Sequence, residues 1–532
     1  MTWPHLITLP VVLPLMAGAL LVLVEGRHAA LAKALGMAST LAVLATAMML
    51  TWQADTGAVQ AYLLGNWAAP YGISLALDRL SALMLLLTGV VGVAALLYAS
   101  GGDAQRGAHF QSLFQFQLMG LNGAFLTADL FNLFVFFEVL LIASYGLLLH
   151  GAGAARLRAA THYVSFNLAG SALFLVAVSL LYGLAGTLNM ADLAQRVPAL
   201  GPDRLLLVQS AALMLIVVFG IKAALLPLYF WLPATYGAAS APVAALFAIM
   251  TKVGVYATLR MCTLVFGADG GATAHVTSPW LESLALATLL LGSVGALAAR
   301  QLRAMLGNVV VASAGTLLLA VALGRPGTVA AGLFYLVNST LVAAALFLLA
   351  DRVRHARGSA DDQLSPAAMG AARTTLGVLF VLFAVSAAGM PPLAGFMGKV
   401  LLLQAAGQGP WAGGIVATIL AASLLTLVAF ARSGSTLFWK PGAASDGPVI
   451  APPALADAPM PTHWAHGASL AWLAVLIVSC AVLAAPLSRY AAAAAQQLFD
   501  PAAYRQAVFG AQPAPPAFDV RREMRERKAA KP

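Results

Sequence analysis

The chain has 532 residues, of which 61% are hydrophobic and only 9% charged, and its mean hydropathy is +0.88. Soluble domains carry about 25% charged residues, so this composition excludes a soluble globular protein and leaves an integral membrane protein. The formal net charge of +10 does not point to nucleic acid. Six of the cations sit in the terminal run RREMRERKAAKP, and basic loops beside apolar stretches account for the rest.

The N-terminal stretch MTWPHLITLPVVLPLMAGALLVLVEG lacks a basic leader region and an A-x-A site, so it reads as a first transmembrane helix. Apolar runs of span length predict about fourteen transmembrane helices. They fall near 4–24, 31–52, 77–100, 109–127, 129–149, 159–185, 206–232, 240–266, 280–299, 304–323, 328–350, 371–404, 411–432 and 466–487. The predicted class is an all-α polytopic membrane protein. Loops after odd-numbered spans hold twelve Lys and Arg residues against three after even-numbered spans, which places the odd loops in the cytoplasm and the N-terminus outside. Residues 441–465 are rich in Pro and Ala and read as a loop; 500–532 read as an amphipathic or disordered tail.

Against this apolar background four charges stand out: Glu138, Lys222, Lys252 and Lys399. An ionisable residue near a bilayer centre costs about 2.5–3.5 kcal/mol on insertion scales and usually lines a polar pathway. Two of the lysines lie beside helix breakers. In GIKAALLPLYFWLP, Lys222 precedes Pro227 and Pro233; in GMPPLAGFMGKVLLL, Pro391, Pro392, Gly395 and Gly398 lead into Lys399. Proline removes an intrahelical hydrogen bond and breaks or kinks the helix. The breaks fall in spans seven and twelve, five spans apart, as two inverted five-helix repeats at 109–266 and 267–436 would require. The repeats would be preceded by a three-helix segment (1–108) and followed by a loop (437–465), a last span (466–487) and a basic tail (488–532).

These stretches, together with LDRLSALMLLL, SAPVAALFAIMTKVGVYATLRM and DLFNLFVFFEVLLIASYGLLLHG, resemble the antiporter-like subunits of respiratory complex I, membrane-bound hydrogenases and multisubunit cation/proton antiporters. The resemblance covers about 70–435 and is greatest to the D-type subunits of the Mrp (Pha/Mnh) antiporters. It implies a membrane subunit of a multisubunit Na⁺ (monovalent cation)/H⁺ antiporter in the bacterial inner membrane, assembled with other Mrp-type subunits and needing no cofactor. Glu138 would pair with Lys222, the protonatable group of the first half. Lys252 would be the central relay, and Lys399 would communicate with the second half or a neighbouring subunit.

The same resemblance keeps open a proton-pumping subunit of an NADH:quinone oxidoreductase or hydrogenase. Related complex I subunits carry a histidine and a lysine in helix eleven; here that segment reads FYLVNSTLVAAALFLLAD, with Ser339 and Ala343 in their places. Asn338, Ser339 and water would have to bridge Lys252 to Lys399.

Asp78 and His162 are accessory candidates, and each has a plain structural alternative. Asp78 suits a helix start as well as ion entry, and His162 could shuttle protons or sit at the interface. Asp129 suits a helix N-terminus. Arg260 reads as a helix-end residue reaching the interface. The two cysteines, Cys262 and Cys480, have no CxxC or Cys/His spacing, so neither a disulfide framework nor a metal site is expected. No phosphate loop, dinucleotide fingerprint or iron–sulfur ligand set occurs.

Overall fold

The computed structural model describes residues 4–408, 411–440 and 464–514, and the chain is built almost wholly from helices. The first group is α1 (Leu9–Val24), α2 (Ala29–Asp55), α3 (Arg79–Ser100), α4 (Phe110–Leu126), α5 (Leu130–Leu149) and α6 (Ala154–Ala185). Then come α7 (Met190–Arg196), α8 (Leu205–Ala223), α9 (Trp231–Ala238), α10 (Ala241–Leu264), α11 (Ser278–Ala298), α12 (Leu302–Ala322) and α13 (Pro326–Arg357). The last group is α14 (Arg373–Ala388), α15 (Ala394–Ala406), α16 (Ala412–Gly434), α17 (Trp464–Val482), α18 (Ala484–Leu498) and α19 (Pro501–Phe509). One antiparallel hairpin, β1 (Gln60–Leu63) with β2 (Ser74–Leu77), interrupts the helical series.

Among the described residues, 13 helices are long and apolar enough to cross a membrane. The sequence count of fourteen included 109–127, which the structure forms as α4, only 17 residues long. Its polar side chains point into the bundle. Gln115 donates to the Gly36 carbonyl and Thr40 at 3.0 Å each, and Asn122 donates to the Pro10 carbonyl at 2.9 Å. These bonds replace water for groups that would be costly to bury alone.

The connecting segments gather on two faces. On one, Glu25 accepts from the Gln111 amide at 2.8 Å, Tyr98 donates to Asp351 at 2.7 Å, and Arg303 pairs with Asp362 at 3.0 Å. This basic face carries the loops predicted to be cytoplasmic. Here Asp103, buried outside the spans, is held up at about 6, by burial first and then by the Asp351 carboxylate.

The opposite face holds the β1–β2 hairpin. Thr127 bridges to Leu75 and Asp129 to Asn189, while Asp129 caps α5 through the Asn132 amide at 2.8 Å. The last described residues also lie on this hairpin face: Asn66 and Ala514 exchange two hydrogen bonds of 3.0 Å. The segment read as a basic, amphipathic or disordered tail begins as helices α18 and α19 packed on the bundle, with α18 against α13 and α3. The predicted loop 441–465 falls outside the described residues except for its last two positions, which open α17, and the tail beyond 514 lies outside them entirely.

Close backbone approach fixes the helices that carry the lysines. At Gly254 an added Cβ would sit 2.6 Å from both the Phe219 oxygen and the Ala223 nitrogen, so α10 packs directly on the last turns of α8. Small residues permit such contacts where apolar side chains gain nothing over lipid.

Candidate functional site

The first helix break is built from satisfied backbone groups. α8 stops at Ala223 because Ala224 turns left-handed (φ 59°), and the Leu225 amide returns to the Gly220 oxygen at 2.8 Å. The Leu226 amide, freed by the turn, donates to Thr288 of α11 at 2.8 Å, and Trp231 Nε1 donates to the Ile221 carbonyl at 3.2 Å. Pro227 lies in the gap between α8 and α9, whereas Pro233 falls in the first turn of α9, where its missing N–H costs nothing.

Lys222 occupies the last turn of α8 and is 7% exposed. Its Nζ donates to Asn167 Oδ1 on α6 at 3.0 Å and stands 5.9 Å from the Phe137 ring centre. Glu138, on α5, accepts a hydrogen bond from the Ser171 hydroxyl of the same α6. Among the described residues Glu138 and Lys222 form no direct ion pair; Asn167 and Ser171, one helical turn apart, stand between them. A cavity of about 10 Å³, lined in part by Phe137, Asn167, Lys222, Trp231 and Met250, adjoins the ammonium. That volume is at the lower bound for one water.

Lys252 is fully buried on α10, and its Nζ reaches the Thr251 hydroxyl at 3.3 Å. Tyr256 and Arg260 follow it at four-residue steps, on the same face of the helix. Arg260 does not reach the interface as its sequence position suggested. It is buried against Asp78, with bonds of 2.5 and 3.0 Å, because the acid that pairs with it lies 182 positions earlier in the chain. Asp78 also forms a capping box with Ser81 at the start of α3.

The second break inverts the first. α14 ends at Ala388, Gly389 turns left-handed (φ 77°), and exposed Pro391 and Pro392 lead into α15. Lys399 lies beyond the break and reaches back, its Nζ donating to the Ala388 carbonyl at 2.7 Å. The negative end of the α14 dipole favours a cation there. A Cβ at Gly395 would overlap the Ser386 carbonyl oxygen, so only glycine lets α15 start so close to α14.

Asn338 on α13 accepts from the Ser386 hydroxyl at 2.9 Å. Asn338, Ser339 and Ala343 line a cavity of about 20 Å³ with Ser313 and Tyr335, room for one water where the helix-eleven departure left a gap. His162, by contrast, is exposed on the outside of α6 and joins none of these groups.

Sequence reasoning missed Asn167, Ser171, Thr288 and Ser386. Their one signal was polar spacing inside apolar helices, as in the four-residue step from Asn167 to Ser171.

A family model described as NADH:quinone oxidoreductase/Mrp antiporter, TM, matches residues 127–426. A relative from Rhizobium meliloti, named as the probable D-type subunit of a K⁺/H⁺ antiporter, is 41% identical, over 95% of this chain and 98% of the relative. The corresponding D-type subunit of a Na⁺/H⁺ antiporter from Bacillus subtilis is 37% identical over 82% and 87%. Among solved structures, a chain of the Mrp complex from Dietzia superposes with a TM-score of 0.86 at 30% identity, over 96% of this chain and all of that one. A chain of respiratory complex I from Thermus thermophilus superposes at 0.72 with 26% identity, over 93% and 100%.

Proposed function

The chain belongs to the NADH:quinone oxidoreductase/Mrp antiporter transmembrane family, and on that premise we propose that it is the D-type subunit of a multisubunit monovalent cation/proton antiporter in the bacterial inner membrane. Its task is to carry protons, with Glu138, Lys222, Lys252 and Lys399 as the groups that load and release them.

One observation carries this reading. Lys222 and Lys252 are buried and Lys399 half-buried, in or beside apolar helices, and each has a neutral oxygen as its partner: Asn167, Thr251 and the Ala388 carbonyl. An ammonium held this way gives up its proton far more readily than one locked to a carboxylate. Among the described residues no group of three or more His, Cys, Asp or Glu side chains could hold a metal ion, and hard cations such as Na⁺ want several oxygen ligands. This favours proton handling by this chain. The relatives named K⁺/H⁺ and Na⁺/H⁺ antiporters make both ions the ones to test.

The test is cation-induced collapse of a pH gradient in inverted vesicles from an antiporter-deficient host that expresses the whole gene cluster. Wild type responding to K⁺ or Na⁺, with Lys222→Ala and Glu138→Ala silent at equal assembly, supports the reading. Vesicles that ignore cations but pump protons on NADH or hydrogen would sink it in favour of an oxidoreductase subunit.

A further inference from the structure

Arg260, 3% exposed, is a buried charge within a span that the mechanism above leaves unused. Its guanidinium takes Asp78 in two bonds and donates to the Tyr256 hydroxyl at 3.1 Å, which in turn donates to the Phe125 carbonyl at 2.7 Å. Two tyrosine rings flank it, Tyr256 at 5.3 Å and Tyr504 at 5.1 Å from the guanidinium carbon. Arg260 Nε, buried, has no hydrogen-bond partner among the described residues.

Tyr504 comes from α19, far outside the two lysine-bearing breaks. α19 is drawn over this spot by α18, whose Gln497 accepts from the Arg79 amide and donates to the Gly57 carbonyl at 2.9 Å each. The Asn66–Ala514 bonds clasp its other end to the hairpin loop.

The placement matters because Lys252, Tyr256 and Arg260 form one polar stripe down α10. Eight residues put Arg260 about 12 Å from Lys252 along the helix axis, towards the hairpin face. Arg260 cannot release its proton and Asp78 is locked to it in two bonds, so the stripe beyond Lys252 ends in a pair that hands no proton onward. Asp78 orients the guanidinium, and Tyr504 is the side chain that covers it from the hairpin side.

We infer that Asp78, Arg260 and Tyr504 form a proton-tight closure between Lys252 and the hairpin face, with α19 as its lid. The inference rests on the transport reading above. In it Tyr504 is a positioning residue: its ring holds the guanidinium in place over the stripe, and its hydroxyl takes no part.

The experiment measures passive proton leak in vesicles carrying the whole complex, with no added Na⁺ or K⁺, beside cation-driven activity in the same preparation. Tyr504→Ala should raise the leak several-fold, while Tyr504→Phe keeps the ring and stays tight. Asn66→Gly, which removes both bonds to Ala514 while suiting the left-handed backbone at that position (φ 61°), should raise the leak to a smaller extent. It tests the lid without touching the core should Tyr504→Ala assemble poorly.

A wild type that exchanges cations for protons, with Tyr504→Ala and Asn66→Gly both as tight as wild type, overturns the closure alone. A leak equal in Tyr504→Phe and Tyr504→Ala overturns the ring-contact argument. A wild type without any cation response removes the transport reading and this inference with it.

Discussion

The two helix breaks hold a lysine each, but by different means. At the first, Lys222 stands before the gap, and a side-chain amide from α6 meets it, with Glu138 one turn away on the far side of Ser171. At the second, Lys399 stands after the gap and folds back on a main-chain carbonyl, with the neutral Ser386–Asn338 pair beside the end of the same helix. The first can be tuned by moving one side chain against another. The second is tied to the relative position of two helices, since its partner belongs to the backbone of α14. On the proposed reading, one break is an electrostatic device and the other a positional one.

Loss of the ammonium should separate the breaks most clearly from the rest of the chain. Lys222→Ala is expected to cut cation-driven exchange by at least about 100-fold, the scale of a lost proton-transfer group. Lys222→Arg, which cannot release its proton, should be nearly as inactive; rates near wild type for either variant would break the electrostatic account.

Next in size is the glycine contrast. Gly395→Ala drives a Cβ into the Ser386 carbonyl and should cost more than about 3 kcal/mol, read as loss of assembled subunit on native gels. At the first break, Gly220→Ala meets only the Leu225 side chain, nearest atom 3.2 Å. That change should stay within about 1 kcal/mol, because alanine's helix propensity offsets the tighter fit.

A smaller pair of effects tests the neutral partners. Asn167→Ala strips Lys222 of a hydrogen bond to a charged group and should destabilise by about 1.5–3 kcal/mol, whereas Asn338→Ala breaks a neutral bond and should cost about 1 kcal/mol or less beyond its packing loss. Thermal unfolding of the purified complex gives both numbers, and equal shifts would erase the distinction between the breaks.

A control lies on the basic face, outside both breaks. Asp103 holds its proton up to about 6, against an ordinary value of 3.8. The folded state thus binds this proton more tightly than the unfolded chain does, so stability falls as pH rises from about 4 to about 6 and stays reduced above that. Asp103→Asn should raise stability above pH 6. It should also flatten the pH 4–6 slope of the melting temperature, and an unchanged slope would refute it.

Much of this was legible in the sequence, for a physical reason. A lysine or a Pro-Pro pair in an apolar run is costly enough to be visible without a fold, and Glu138, Lys222, Lys252, Lys399, Pro227, Pro391 and Pro392 all announced themselves this way. Asn167 and Ser386 did not, because a neutral amide or hydroxyl can satisfy itself almost anywhere in a helix. Arg260 was misread because its meaning depends on Asp78, and no local pattern links residues so far apart. The hairpin at 60–77 escaped a search tuned to long apolar runs.

α13 has a consequence of a mechanical kind. At 32 residues it is about 48 Å long, and it packs against both α10, which carries Lys252, and α15, which carries Lys399. It is a strut: turned by about 5° around its middle, each end of a rod of that length travels about 2 Å. That distance is enough to break or make a hydrogen bond. A push delivered at the basic face, where Asp351 anchors the strut to Tyr98, would be felt at its opposite end without any group in between changing its charge.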